Sequence, residues 1–234
     1  MKNQYFADVN DYSKYGLLRC FIDAGLRIGV CWMLTPDDGR SDGRKINYLS
    51  NPDGWRIYDP TLFDALAKVV INGPRNVRRL KRLALLSNAK FSHSVVPDSQ
   101  AKRAMWLNRA LGNLAPVDLL FFDPDNGIEV QSVPISRVGS CKYIYWHEIE
   151  LAWAKGSSLL IFQHFPRQKR IQYVSRLLGQ LAERLPGSTI IPLVTANVVY
   201  LLACQQRHEI KAERAIGVVE QTWAGRIWRQ KLST

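Results

Sequence analysis

Asp118-Leu-Leu-Phe-Phe-Asp-Pro-Asp-Asn-Gly127 decides the reading of this chain. Four successive apolar residues, Leu119, Leu120, Phe121 and Phe122, carry no charge and run straight into a polar turn of Asp, Pro, Asn and Gly. A short apolar run bounded by turn formers is the pattern of a strand buried on both faces, as in a parallel sheet covered by helices. In such sheets ligands bind beyond the carboxyl ends of the strands, so the carboxylates of Asp123 and Asp125 stand where a functional site is expected. An ordinary Asp/Asn/Gly turn is the competing explanation.

Outward from this strand the pattern alternates. A helix is predicted over residues 8–24, with Leu17, Leu18, Phe21 and Ile22 at helical spacing, Asn10 or Asp11 as N-cap and Gly25 as the stop. Residues 27–34 predict a buried strand that enters a polar loop over residues 35–43, and residues 61–71 an amphipathic helix. Residues 75–86 predict a basic helix, residues 89–96 a strand, and residues 99–114 a helix with Met105, Trp106, Leu111 and Leu114 on its apolar stripe. Residues 143–154 are helical or partly strand, residues 157–162 a buried strand, and residues 168–185 a long basic helix stopped by Pro186-Gly187. Residues 189–194 and 198–203 are β-like, and residues 210–232 fit either a helix or a hairpin. Strands alternating with helices predict an α/β fold, a mostly parallel Rossmann-like sheet with helices on both faces. The 234 residues suit one domain (1–234), with residues 1–24 as an N-terminal helical element and 204–234 as a C-terminal extension.

Four scattered cysteines form no C-x-x-C pair, so neither a zinc site nor a disulfide framework is signalled. Residues 1–8 lack the apolar core of a signal peptide, and no run of about 18 apolar residues is present to span a membrane. A soluble cytoplasmic protein is the expectation. The net charge of +12 favours a polyanionic partner. From Lys68 to Arg109 ten basic residues face a single acid, Asp98. Arg75, Arg78, Arg79, Lys81, Arg82, Lys102 and Arg103, together with Arg167, are candidate nucleic-acid contacts; a solvated basic face is the alternative.

Three polar loops follow apolar strands. Besides residues 123–129 they are residues 35–43, where Asp37, Asp38, Gly39 and Asp42 are candidates for a cofactor or cation, and residues 163–167, where His164 lies beside Gln163 and Arg167. The amino-terminal stretch brings Asp8, Asn10, Asp11, Lys14, Tyr15 and Arg19 together, and on the first helix Asp11, Lys14 and Tyr15 share one face at i, i+3 and i+4. Either a local salt bridge or a reach of Lys14 to a phosphate or cofactor carboxylate accounts for them.

The order of these elements resembles a class I S-adenosylmethionine-dependent methyltransferase domain, in particular the bacterial large-subunit rRNA adenine-N6 methyltransferases. Asn10, Asp11, Lys14 and Tyr15 resemble the Asn, Ala-Asp and Lys-His element of that family's first helix. Asp123-Pro124 resembles the start of its (Asp/Asn)-Pro-Pro-(Tyr/Phe) motif, in which the acidic or amide side chain and the adjacent carbonyl accept the hydrogens of the target amine and the aromatic ring stacks on the flipped base. Here Asp125 replaces the second proline and Asn126 the aromatic residue. The resemblance implies S-adenosylmethionine as cofactor and a nucleic-acid base as target, with DNA and RNA both open. Asp123, Pro124, Asp125, Asn126, His164 and Lys14 are then the candidate catalytic residues. A second expectation, favoured by the same acidic substitutions, is a Mg²⁺- or Mn²⁺-dependent nuclease or phosphodiesterase using Asp37, Asp38, Asp123 and Asp125, with Glu129 or His164 in support. A third is a nucleic-acid-binding module without chemistry.

Overall fold

A computed structural model describes residues 1–37, 39, 43 and 45–230. In chain order its elements are α1 (Val9–Asp23), β1 (Ile28–Cys31), α2 (Pro52–Trp55), α3 (Pro60–Ile71), α4 (Arg78–Arg82), β2 (Lys90–Ser92) and α5 (Gln100–Leu114), followed by β3 (Leu119–Phe122), β4 (Gly127–Ile128) and β5 (Tyr143–Ile144). Then come α6 (Trp146–Ala154), β6 (Ser158–His164), α7 (Arg170–Arg184), β7 (Thr189–Val194), β8 (Val198–Cys204), α8 (Glu209–Thr222) and β9 (Trp228–Arg229).

Seven strands form one sheet in the order β2-β1-β3-β6-β8-β7-β9. The block β2-β1-β3-β6 is parallel, with Leu120 of β3 opposite both Gly29 of β1 and Leu159 of β6. The remainder is not: β8 is antiparallel to β6 and β7, and β9 is antiparallel to β7. The sheet is therefore mixed, with a parallel core. The reason is a connection of three residues, 195–197, between β7 and β8, which is long enough for a hairpin and far too short for a parallel crossover. Thr195 closes that turn, its Oγ1 accepting from the backbone N–H groups of Asn197 and Val198.

The apolar run of β3 is buried throughout because its side chains alternate between two cores. Leu119 and Phe121 join the layer beneath α1, α3 and α8, whereas Leu120 and Phe122 join the layer beneath α5, α6 and α7. Residues 204–234, expected as an extension, are in part integral to the first layer: Ala212, Ala215, Ile216 and Val219 of α8, and Trp223 after it, belong to that core. Helix α1 meets this segment at Gly16, where an added Cβ would lie 1.9 Å from the Trp223 indole.

Three local expectations are corrected. Asp8, two residues ahead of the anticipated Asn10, is the N-cap of α1, accepting from the N–H groups of Asn10 and Asp11 at 2.9 Å each. The basic helix expected over residues 75–86 is only the five-residue α4, since Ala84 (φ 51°) and Asn88 (φ 61°) take left-handed backbone. In α5 Met105 is exposed, and the buried stripe is Trp106, Leu107, Ala110, Leu111 and Leu114, with Arg103 among them. No helix among the described residues is long and apolar enough to cross a membrane.

Candidate functional site

The carboxyl ends of β3 and β6, the start of α1, the start of α7 and part of the segment after β1 surround a cleft of about 810 Å³. That volume is within the usual range for a small-molecule site. Asp8, Asn10, Asp11, Lys14 and the four residues from Asp123 to Asn126 line it, so the helix and the strand end that sequence reasoning singled out face one space.

On its floor the buried ammonium of Lys14 donates to Asp11 Oδ1 and to Asp123 Oδ2, at 2.7 Å each. The other oxygen of Asp11 accepts from the Tyr15 hydroxyl and from the N–H of Ala7. The lysine also stands over the Phe162 ring, 4.8 Å from its centroid. One cation is thus shared between two buried carboxylates. Burial lowers the pKa of Lys14, but the two carboxylates outweigh it and hold the ammonium charged, above its ordinary range. The excess negative charge falls on Asp123, whose pKa burial raises in spite of Lys14. Asp8, close by, is pushed up to about 7 by burial and then by the Asp11 carboxylate.

Asp125 has partners of its own. Its Oδ2 accepts from the Thr35 hydroxyl at 2.5 Å, and its Oδ1 lies 2.5 Å from the Met1 amino group, which also donates to the Asp123 carbonyl. Burial raises the Asp125 carboxyl, but the Met1 amino group and the Thr35 hydroxyl prevail and hold it below its ordinary value. Asn126 is exposed, with its backbone N–H bonded to the Lys142 carbonyl. Gly127 follows at φ 98°, and a Cβ there would lie 2.2 Å from the Gln163 carboxamide. Gln163 clamps this turn, accepting from the Ile128 N–H at 2.7 Å and donating to the His164 carbonyl at 2.9 Å.

His164 presents an exposed ring to the cleft, edge-on to Phe162 with centroids 4.8 Å apart. Desolvation by the surrounding walls, and then the Lys14 charge, lower its pKa to about 4.

The expected cofactor loop is represented differently. Asp37 is exposed and accepts from the Gln4 N–H, Gly39 (φ 68°) has nothing near its would-be Cβ, and Asp38 and Asp42 lie outside the described residues. What this segment contributes to the cleft wall is Gly43, Lys45 and Asn47. Glu129 is turned away, accepting from the N–H of Trp146 at the start of α6. Among the described residues no group of three or more His, Cys, Asp or Glu side chains is placed to hold a metal ion, and Asp123 and Asp125 each answer to a separate cation.

The expected basic face divides. Arg103 is buried, paired through two oxygens with Glu148 at 2.6 and 2.9 Å and donating to the Ser140 and Tyr143 carbonyls. Arg75 is half-buried and donates to the Phe6 and Gly43 carbonyls, while Arg79 donates to the Val69 and Pro74 carbonyls. These three arginines tie loops together. Arg78, Lys81, Arg82, Lys102 and Arg167 are exposed.

Sequence reasoning missed Lys45, Asn47, Tyr143, Tyr173 and Arg176 as cleft residues. The last two were legible only as members of an amphipathic helix following His164. No family model matches the chain, and no curated protein matches it by sequence.

Proposed function

We propose that the cleft is the active site of an S-adenosylmethionine-dependent methyltransferase-type enzyme that modifies an amine nitrogen of a nucleic-acid base. The observation that carries this reading is the Asp123-Pro124 pair at the carboxyl end of a central parallel strand, lining the cleft beside Lys14 of α1. The strand order supports it as well. The block β2-β1-β3-β6 has the parallel strands and covering helices that the resemblance to class I methyltransferases implies, whereas the β8 reversal lies outside that expectation.

The donor set fits the cofactor. One lysine against two buried carboxylates leaves a floor that favours the sulfonium and the α-ammonium, while Lys45 and Arg176 on the walls offer cations to its carboxylate. When bound, the cofactor supplies an electrophilic methyl group. The chain's own residues do the rest: Lys14 takes Oδ2 of Asp123 and fixes its orientation, so that the second oxygen and the Pro124 carbonyl accept the hydrogens of the target amine. Tyr5, Tyr143 and Phe165 on the walls offer the stacking surface that Asn126 does not.

Isothermal titration with S-adenosylmethionine tests the reading, and a saturable heat is expected. No heat at millimolar cofactor from folded protein removes it. Transfer of a labelled methyl group to mixed RNA or DNA, lost in Asp123→Ala, is the second expected result.

A further inference from the structure

We infer that single-stranded nucleic acid enters the cleft across the rim formed by residues 165–176, and not across the basic face of residues 75–103. This inference rests on the proposed activity for what the cleft does, and on separate observations for what the rim binds. Within the 75–103 segment Arg75, Arg79 and Arg103 are consumed by internal carbonyls and by Glu148, and the exposed Arg78, Lys81, Arg82 and Lys102 are not among the residues that line the cleft. At the rim the exposed charges adjoin the cleft itself. The side chains of Arg167 and Lys169 are exposed and carry neither a hydrogen bond nor an ion pair among the described residues. Both follow directly on His164, Phe165 and Pro166, which line the cleft.

Aromatic rings alternate with these charges. The Arg170 guanidinium lies 4.7 Å from the centroid of Phe165, and that of Arg176 lies 5.4 Å from the centroid of Tyr173. Both rings line the cleft, Phe165 as the accessible stacking face and Tyr173 as the buried support beneath Arg176. Cations that follow a backbone, interleaved with rings on which bases stack, are the chemistry of single-strand recognition. A duplex presents its phosphates but keeps its bases stacked away from such rings, whereas a base that reacts inside a cleft must leave the stack. The shared chemistry is a single-stranded polyanion with accessible bases, and RNA and DNA are its two sources.

Fluorescence anisotropy of the full chain, without cofactor, tests this with labelled single-stranded RNA, single-stranded DNA of the same sequence and the matching duplex. We expect a single strand to bind more tightly than the duplex, with the RNA and DNA arms identifying the sugar. The double substitution R167A/K169A removes two exposed, unpaired charges and should lower the slope of log affinity against log salt by about 1.4, at about 0.7 per phosphate contact. R78A/K81A, equally exposed on the other face, should leave the slope unchanged. Loss of slope in R78A/K81A but not in R167A/K169A overturns the inference, as does preference for the duplex or no binding to either strand. The outcome is separable from the proposed activity: a rim effect without S-adenosylmethionine binding fails only the enzyme reading, and cofactor binding without a rim effect fails only this one.

Discussion

Lys14 of α1 and Asp123 at the end of β3 are 109 residues apart in sequence and meet at 2.7 Å in the floor of the cleft. The same ammonium holds Asp11 at 2.7 Å, so a single cation joins the first helix to the central strand. Removing one partner of a buried ionic group leaves charge unpaired and costs about 3–5 kcal/mol. Lys14→Met should lose stability on that scale at pH 8, measured by urea unfolding. The loss should shrink toward pH 5, because the stranded carboxylates then take up protons and become neutral. A variant equally destabilised at both pH values would show that packing, and not charge, is what Lys14 supplies.

Arg103 and Glu148 form the second buried pair, with both side chains almost fully enclosed. Glu148 also accepts from the Tyr145 N–H at the start of α6. Glu148→Ala strands the guanidinium and should cost about 3–5 kcal/mol in urea unfolding. Arg103→Met should cost less than Glu148→Ala, since it leaves an apolar chain of similar length and a carboxylate that can take up a proton, whereas the guanidinium keeps the Ser140 and Tyr143 carbonyls but cannot lose its charge. In nucleic-acid binding Arg103→Met should leave the salt slope unaltered, the mark of a residue that never meets a phosphate.

Both pairs show where sequence stops being informative. The strand β3 is legible because burial on two faces demands an uninterrupted apolar run, and Leu119 to Phe122 meet that demand locally. The reversal of β8 escapes that reading, because alternating strands and helices predict a mostly parallel sheet, although the three residues between β7 and β8 allow only a hairpin. Arg103 is not legible either. Its neighbours Lys102 and Arg109 are exposed, and the carboxylate that buries it lies 45 residues downstream. The cleft divides the same way: Asp11, Lys14, Asp123, Gln163 and His164 stand at local landmarks, a helix start and strand ends, whereas Tyr173 and Arg176 acquire their places only from tertiary packing.

Asp8 makes stability depend on pH. Burial and then Asp11 raise its folded-state pKa from 3.8 to about 7. A carboxyl raised in this way is more favourable folded when protonated, so its contribution is fully present below its unfolded pKa and is lost as pH rises from about 4 to about 7. Asp8→Asn keeps the capping oxygen but not the charge. Melting temperatures of the two proteins should agree near pH 4, and the variant should be the more stable at pH 8, by up to a few kcal/mol. Equal pH dependence in both would place the ionisation elsewhere.

Gly127 and Gln163 hold the turn that carries Asp125 and Asn126, and their coupling is measurable. An alanine at position 127 meets two separate penalties. The first is the left-handed backbone at φ 98°, which costs an L-residue about 1–2 kcal/mol wherever its side chain points. The second is contact with the Gln163 carboxamide, 2.2 Å from the new Cβ, which displaces the side chain that satisfies the Ile128 N–H. Gln163→Ala abolishes the second penalty in advance, at its own cost of about 1–3 kcal/mol for the buried N–H left without an acceptor. Gly127→Ala should therefore destabilise the Gln163→Ala protein less than the unsubstituted one, with a coupling of about 0.5–3 kcal/mol in urea unfolding. Additive effects would mean that the carboxamide yields freely, and that only the backbone conformation demands glycine in this turn.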